Sequence, residues 1–79
     1  MITVYSMEGC ASCVAATQLL ERKSIPFNLV KIEEKPEAWT MLKGLGLRSM
    51  PQIFIDDVLV PGGFQGLTRI PTEVLEKFK

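Results

Sequence analysis

The sequence has no histidine, only two cysteines, and no apolar run long enough to span a bilayer. A tetrahedral zinc site needs four ligands, and a chain without histidine or a second cysteine pair lacks the usual set. Lysine plus arginine and aspartate plus glutamate number nine each, so the net charge is zero. This balance gives no basis for attraction to nucleic acid or to an anionic membrane. We therefore expect no metal site, no nucleic-acid partner and no membrane partner.

The N-terminus also lacks the features of a secretory signal, because residues 1–6 resemble a strand with no basic region before it. We therefore expect a cytoplasmic protein. Apolar residues make up 47% of the chain, which is enough for a compact core at this length. The sequence predicts one domain, residues 1–79, and a monomer is the simplest expectation.

The pattern of apolar residues and breakers predicts an α/β fold with the order βαβαββα. We expect a central four-stranded mixed sheet flanked by about three helices, its first two strands parallel and its last two antiparallel. The predicted strands are 1–5, 27–32, 51–55 and 58–60, and the predicted helices are 10–23, 36–45 (with an apolar stripe of Ala38, Met41, Leu42 and Leu45) and most of 65–79.

The two cysteines lie three residues apart, at the predicted junction of the first strand and the first helix. A bond that closes so short a loop adds little stability, so a structural role is poorly supported. At a helix N-terminus, free N–H groups and the helix dipole stabilise a thiolate, and we expect a lowered pKa for Cys10. Cys13, one turn later, faces inward. The sequence thus predicts that Cys10 attacks a disulfide and Cys13 resolves the product, while the Ser12 hydroxyl could donate a hydrogen bond to the thiolate.

Other interpretations remain open from these residues alone. A C-x-x-C pair also occurs as half of a metal site or as two core cysteines. Met50-Pro51 stands at a predicted strand start, where a proline can mark a cis bond or an ordinary strand beginning. The strand before the cysteines and the helix after them favour redox chemistry.

Taken in order, three segments resemble the glutaredoxins of the thioredoxin-like superfamily: Cys10–Cys13, the run Ser49–Ile55, and the pair Gly62-Gly63. The resemblance covers essentially the whole chain. It implies a cis Pro51 facing Cys10, with the backbone of Met50 pairing with glutathione or a substrate segment as an added strand. It also implies that the glycine pair, Gly63 included, lets the backbone approach the ligand closely.

The sequence departs from the usual glutaredoxin pattern at two places. Ala11-Ser12 replaces the common Pro-Tyr between the cysteines. After the glycines stand Phe64 and Gln65, where glutathione-binding members carry a cysteine or serine and then acidic residues. A Gly-Phe step here is similar to the glutaredoxin-like electron donors of ribonucleotide reductases, which thioredoxin reductase reduces. The resemblance therefore leaves glutathione and thioredoxin reductase both open as the reductant, with Phe64 and Gln65 as candidate contacts.

Further residues carry weaker expectations. Lys43 or Arg48 could bind the other end of glutathione, although a solvated surface charge is the favoured interpretation for each. Tyr5 could line the site or pack beside the sheet. We expect the acidic cluster that includes Glu33 and Glu34 to be a solvated face.

Together, the residues and the resemblance predict a dithiol electron carrier for protein disulfides, with ribonucleotide reductase as a candidate client. No tightly bound cofactor is expected, and glutathione would act only as a reductant. An alternative is an iron–sulfur carrier, in which Cys10 and glutathione hold a cluster between two subunits. The small residues Ala11-Ser12 favour that alternative, whereas the weak glutathione contacts disfavour it. A non-catalytic binding module is disfavoured because both cysteines are present.

Overall fold

A four-stranded mixed sheet forms the centre of the protein in a computed structural model that describes all residues, Met1–Lys79. The strands follow the spatial order β2-β1-β3-β4, with β1 and β2 parallel and the other neighbouring pairs antiparallel. This confirms the predicted order of elements and the mixed sheet. The strands are β1 (Ile2–Ser6), β2 (Asn28–Lys31), β3 (Gln52–Ile55) and β4 (Val58–Val60).

Four helices and a terminal 3₁₀ turn accompany the sheet, and none of the helices has the length and hydropathy to cross a membrane. The sequence predicts a largely helical region from Gln65 onward with a final segment starting at Pro71, and the structure confirms this division, although the first of these helices begins two residues earlier, at Gly63. That region divides at Pro71, which has no N–H to continue a helix. The helices are α1 (Ala11–Arg22), α2 (Pro36–Gly44), α3 (Gly63–Thr68) and α4 (Thr72–Leu75), and the 3₁₀ turn is Glu76–Phe78.

The packing of α1 on the sheet fixes the position of the helix and of its first turn. Cys13, Ala16 and Leu20 are buried at positions i, i+3 and i+7 of α1, as the sequence predicts. Alternate residues of β1 are also buried, among them Ile2 and Val4. Except for Cys13, these residues belong to one continuous core cluster. The buried residues further along α1, Ala16 and Leu20, therefore anchor its first turn.

The hairpin between β3 and β4 turns through Asp56 and Asp57, as predicted. Both residues have positive φ angles, 48° and 68°, which is the pattern of a type I′ two-residue loop. Aspartate tolerates this conformation better than most residues because its short polar side chain can bond locally. The Asp56 carboxylate also pairs with the Met1 ammonium group.

The apolar stripe predicted for α2 is only partly buried. Leu42 is fully buried, but Met41 and Leu45 are 40% and 60% exposed. The helix ends at Gly44, so Leu45 falls at the C-cap, beyond the regular helical positions. Met41 lies about 100° around the axis from Leu42 and points away from the one position that packs inward.

The start of α3 depends on a glycine inside the helix. A Cβ atom on Gly66 would overlap the carbonyl oxygen of Pro61, and it would lie 3.3 Å from a methyl group of Val60. The first turn of α3 therefore lies so close to Pro61 that only glycine fits at position 66.

We expect Gly66→Ala to lower the free energy of unfolding by about 2 kcal/mol or more, because the added methyl meets rigid backbone. Urea denaturation measures this loss. Gly44→Ala is the matched control, since a Cβ there meets nothing within 4 Å and Gly44 has no positive φ. The control should be neutral or slightly stabilising, by up to about 1 kcal/mol. Equal effects in the two variants would contradict the close approach of Gly66 to Pro61.

Candidate functional site

Cys10 is the N-cap of α1, with an extended backbone (φ −101°, ψ 103°). It is disulfide-bonded to Cys13, and their Cα atoms lie 5.2 Å apart. The Cys10 Sγ accepts a hydrogen bond from the Cys13 backbone N–H at 3.1 Å. The helix thus begins one residue later than the sequence predicts, and Cys10 occupies the position that serine or aspartate usually fills. The Cys13 N–H contacts the sulfur of the oxidised protein, and a hydrogen bond from the Ser12 hydroxyl to a Cys10 thiolate stays a prediction.

The two sulfurs differ in accessibility. Cys13 is 3% exposed, whereas Cys10 is half-buried. Both face the end of β1, because the short loop of residues 7–9 joins that strand to α1. An incoming molecule therefore meets Cys10 first, and Cys13 reaches it from the interior side.

Pro51, with a cis bond to Met50, stands opposite the N-terminus of α1. The Met50 carbonyl oxygen lies 3.7 Å from the Cys10 Sγ. A disulfide sulfur has no hydrogen, so this is a contact in the oxidised protein, and a Cys10 thiol could donate to the same oxygen. The cis proline facing Cys10 agrees with what the resemblance implies.

Gln52, the first residue of β3, stabilises the loop of residues 49–51, which we call the proline loop. The sequence did not predict this role. Its side chain is almost entirely buried, at 8% exposure, and its amide nitrogen donates to the Ser49 carbonyl oxygen at 2.7 Å. A buried amide needs such a partner to offset the cost of its desolvation. The signal in the sequence was a polar residue between Pro51 and an apolar strand.

Gly63 lies close to another part of the protein, the carbonyl group of Pro51. A Cβ on Gly63 would lie 3.0 Å from the Pro51 carbonyl oxygen, and the φ of Gly63 is +57°. The need for glycine here therefore arises from contact between the start of α3 and the proline loop. The close approach to a ligand that the resemblance implies stays a prediction.

The cis-proline groove, as we call it, has a volume of about 520 Å³ and lies on one side of the disulfide. It brings together six of the residues expected at the site: Ser12, Met50, Pro51, Gly63, Phe64 and Gln65. The rest of its lining is Leu47, Ser49, Gln52, Leu59, Pro61 and Gly62. No charged side chain is among them.

Three other candidates lie outside this groove. The Tyr5 ring packs edge-on against Phe54, with centroids 5.6 Å apart. The Lys43 ammonium lies 5.1 Å from the centre of the Trp39 ring, and Arg48 is exposed. None of the three lines the cis-proline groove or the cleft on the other side of the disulfide.

That second cleft, which we call the Glu33 cleft, is lined by both cysteines, by apolar Met7, Val14 and Leu29, and by Glu8, Lys31 and Glu33 among others. Glu33 and Glu34 are both exposed, as expected from the sequence, but Glu33 also makes a contact that the sequence does not predict. One of its carboxylate oxygens accepts a hydrogen bond from the Glu8 backbone N–H at 2.5 Å. No group of three or more histidine, cysteine, aspartate or glutamate residues is arranged here or elsewhere to hold a metal ion.

The sheet topology explains the contact between Glu8 and Glu33. Parallel strands end at the same edge of a sheet, so the residues that follow β1 and β2 come together. The Ile32 N–H donates to the Ser6 carbonyl oxygen at 3.0 Å, which continues the pairing one step beyond β2. Glu33 is the next residue and reaches the loop before Cys10.

The hydrogen bond from Glu8, followed by its own backbone N–H and the charge of Lys31, lowers the pKa of the Glu33 carboxyl group below its usual value of 4.5. Partial desolvation opposes the shift. A carboxylate whose pKa is lowered in the folded state contributes stability above its unfolded pKa and loses it as the pH falls through the folded value.

We therefore expect wild-type protein to be more stable than Glu33→Ala at pH 7, with the difference shrinking as the pH falls below 4.5. Urea denaturation of both proteins at pH 7 and at successively lower pH values measures the difference. Glu34→Ala is the control, because it removes an exposed carboxylate next in the sequence, while the hydrogen bond from Glu8 goes to Glu33. A difference that grows on acidification would contradict the contact.

Comparison with known proteins agrees with this geometry. The glutaredoxin family model matches residues 2–60. The glutaredoxin-like protein NrdH of Lactococcus lactis subsp. cremoris is 36% identical over 62 residues, covering 78% of this chain and 86% of that protein. A glutaredoxin of Neisseria meningitidis is 35% identical over 74 residues, covering 91% of this chain and 86% of that protein.

Solved structures show the same fold. Glutaredoxin 1 from Francisella tularensis superposes with a TM-score of 0.77 at 28% identity, covering 95% of each chain. The NrdH-redoxin of Escherichia coli superposes with a TM-score of 0.74 at 23% identity, covering 99% of this chain and 93% of that one. These matches confirm the thioredoxin-like glutaredoxin fold expected from the sequence.

Proposed function

The chain belongs to the glutaredoxin family, and on that basis we propose that it reduces the disulfides of protein substrates as a dithiol electron carrier. Members of this family are thiol–disulfide oxidoreductases. The observation that carries the finer proposal is the pair of cysteines at the start of α1 beside a groove that has no charged lining residue.

Cys10 supplies the nucleophile. In the reduced protein its thiolate attacks one sulfur of a substrate disulfide, forms a mixed disulfide and releases the other substrate sulfur as a thiolate. Two features support this role: Cys10 is the more exposed sulfur, and the Cys13 N–H points at it from the first turn of α1. A hydrogen bond to a charged sulfur stabilises it more than one to a neutral thiol.

Cys13 completes the transfer. Its thiolate attacks the Cys10 sulfur, the mixed disulfide breaks, and the second substrate sulfur leaves and takes a proton from water. Once the first released thiolate has also taken a proton from water, the substrate has gained two electrons and two protons, and the Cys10–Cys13 disulfide of the structure is the oxidised product. A reductase returns two electrons to begin the next cycle.

We infer that thioredoxin reductase, rather than glutathione, is this reductant. Glutathione carries two carboxylates and one ammonium group at neutral pH, and the cis-proline groove offers none of them a charged partner. Gln65 can donate or accept a hydrogen bond, but Phe64 adds only apolar surface. The apolar side chains of the cis-proline groove, among them Leu59 and Phe64, suit a protein surface, whose non-polar side chains can pack there.

The family suggests the client and the setting. Relatives named glutaredoxin-like protein NrdH are among the most similar proteins, and the sequence shares the Gly63-Phe64 step of the electron donors of ribonucleotide reductases. We therefore propose ribonucleotide reductase as a client. Activity as a monomer within the reducing cytoplasm fits this role, because cytoplasmic thiols are kept reduced.

Cys10→Ser should abolish turnover with a protein disulfide such as insulin, because the attacking sulfur is lost. Cys13→Ser should still attack but should accumulate mixed disulfides, since nothing resolves them. Insulin turnover and mass spectrometry of the trapped species measure the two effects. Full activity of Cys10→Ser, or no trapped species with Cys13→Ser, would contradict the assigned roles.

The reductant can be tested by following NADPH oxidation with oxidised protein and either thioredoxin reductase or glutathione plus glutathione reductase. We expect rapid reduction only by thioredoxin reductase. Gln65→Asp should then raise the rate with glutathione by about tenfold, because a carboxylate can pair with the glutathione ammonium group. Gln65→Asn is the matched control, which has the size of aspartate without its charge. Rapid reduction of wild-type protein by glutathione would overturn the proposed reductant.

An iron–sulfur carrier remains the second candidate, because Ala11 and Ser12 are small and exposed next to Cys10. Such a carrier would need glutathione to supply a ligand, and the uncharged groove disfavours that. Anaerobic reconstitution with iron and sulfide in the presence of glutathione tests it: a coloured, dimeric product would support this candidate, and a colourless monomer would count against it.

A further inference from the structure

The loop of residues 7–9, which connects β1 to Cys10, makes few interactions with the rest of the protein. Glu8 and Gly9 form a turn, and neither of their backbone N–H groups donates to a backbone carbonyl group. Met7, Glu8 and Gly9 are all exposed, and Gly9 has a φ of +73°. A loop of this kind can move unless something outside it restrains it.

Glu33 provides that restraint. Its carboxylate accepts the Glu8 N–H across 25 residues of sequence, and its own position is fixed by the Ile32–Ser6 hydrogen bond just before it. The contact therefore ties the loop to the rigid end of β2. It lies two residues before Cys10 and inside the cleft that both cysteines line.

From this contact we propose that Glu33 is a positioning residue for the reaction: by holding the Glu8 N–H it keeps Cys10 at the N-cap of α1, where its sulfur receives the Cys13 N–H. The proposal rests on the proposed role of Cys10 as nucleophile. If the loop is released, Cys10 leaves this arrangement for part of the time and its thiolate loses a hydrogen bond. Glu33 need not touch the substrate to act in this way.

The Glu33 carboxylate can also act on Cys10 through its negative charge. Removing the charge and removing the restraint on the loop change the ease of thiolate formation in opposite directions. A negative charge near Cys10 disfavours a thiolate, so removing it would make the thiolate easier to form. Loss of the restraint would make it harder. The charged residues that line the Glu33 cleft are Glu8, Lys31 and Glu33 itself. The cis-proline groove has no charged lining residue. The second thiol of the reduced protein that lines the Glu33 cleft is that of Cys13.

Two substitutions separate the effects. Glu33→Ala removes both the charge and the acceptor, whereas Glu33→Gln removes the charge but keeps an oxygen that can accept the Glu8 N–H. Glu34→Ala is the control, because it changes the net charge equally and its side chain has no hydrogen-bond partner in the chain.

The readout is the rate of alkylation of Cys10 by iodoacetamide as a function of pH, in the fully reduced proteins. For Glu33→Ala we expect the midpoint to rise by about 0.5 pH unit, with roughly two- to threefold slower alkylation at pH 7. Glu33→Gln should alkylate at least as fast as wild type, and Glu34→Ala should match wild type. Insulin turnover should follow the same order.

A midpoint for Glu33→Ala that is equal to or below that of wild type would overturn the proposal, because loss of the hydrogen-bond acceptor would then not disfavour the thiolate. Equal midpoints for Glu33→Ala and Glu33→Gln would also overturn it, because the acceptor that glutamine keeps would then make no difference. A shift of the same size in Glu34→Ala would overturn it as well. Alkylation needs neither substrate nor reductase, so failure of the proposed function would appear separately, as absent turnover in wild-type protein whose alkylation still depends on Glu33.

Discussion

The hydrogen bond from the Cys13 N–H to the Cys10 sulfur is the interaction on which the rest of the site depends. It exists because Cys10 occupies the N-cap of α1, where the first backbone N–H groups of a helix lack partners within the helix. It persists because Ala16 and Leu20, further along the same helix, are buried against the sheet. The core therefore holds the helix, and the helix holds a polar group against the reacting sulfur.

A second set of contacts brings the opposite wall of the site to this sulfur. Gly63 lies against the Pro51 carbonyl group, and Gly66 lies against that of Pro61, so α3 can approach both proline-containing loops closely. Gln52 fixes the first of these loops through the Ser49 carbonyl oxygen. These contacts within the chain hold the Met50 carbonyl oxygen close to the Cys10 Sγ.

The sequence predicted most of what depends on local pattern and less of what depends on tertiary contact. The order of elements along the chain, the buried stripe of α1 and the turn at Asp56-Asp57 follow from periodicity and turn chemistry, and the structure confirms them. The exposure of Leu45 did not follow, because it depends on where α2 stops relative to the core. Glu33 was also missed, since an acidic residue in a charged turn looks the same whether or not a distant N–H lies within reach.

The two sides of the disulfide therefore have separate tasks. On one side, the Glu33 cleft contains the restraint on the loop before Cys10, which acts on the reactivity of the sulfur whatever molecule approaches. On the other side, the cis-proline groove offers the surface that an approaching molecule meets, and there Phe64 and Gln65 stand in the first turn of α3. Because those residues make no contact with the Cys13 N–H or with Glu33, they can change without altering either interaction. The residues after β4 can therefore change which molecule the groove accepts while the hydrogen bond to the Cys10 sulfur and the restraint on the loop before it are kept.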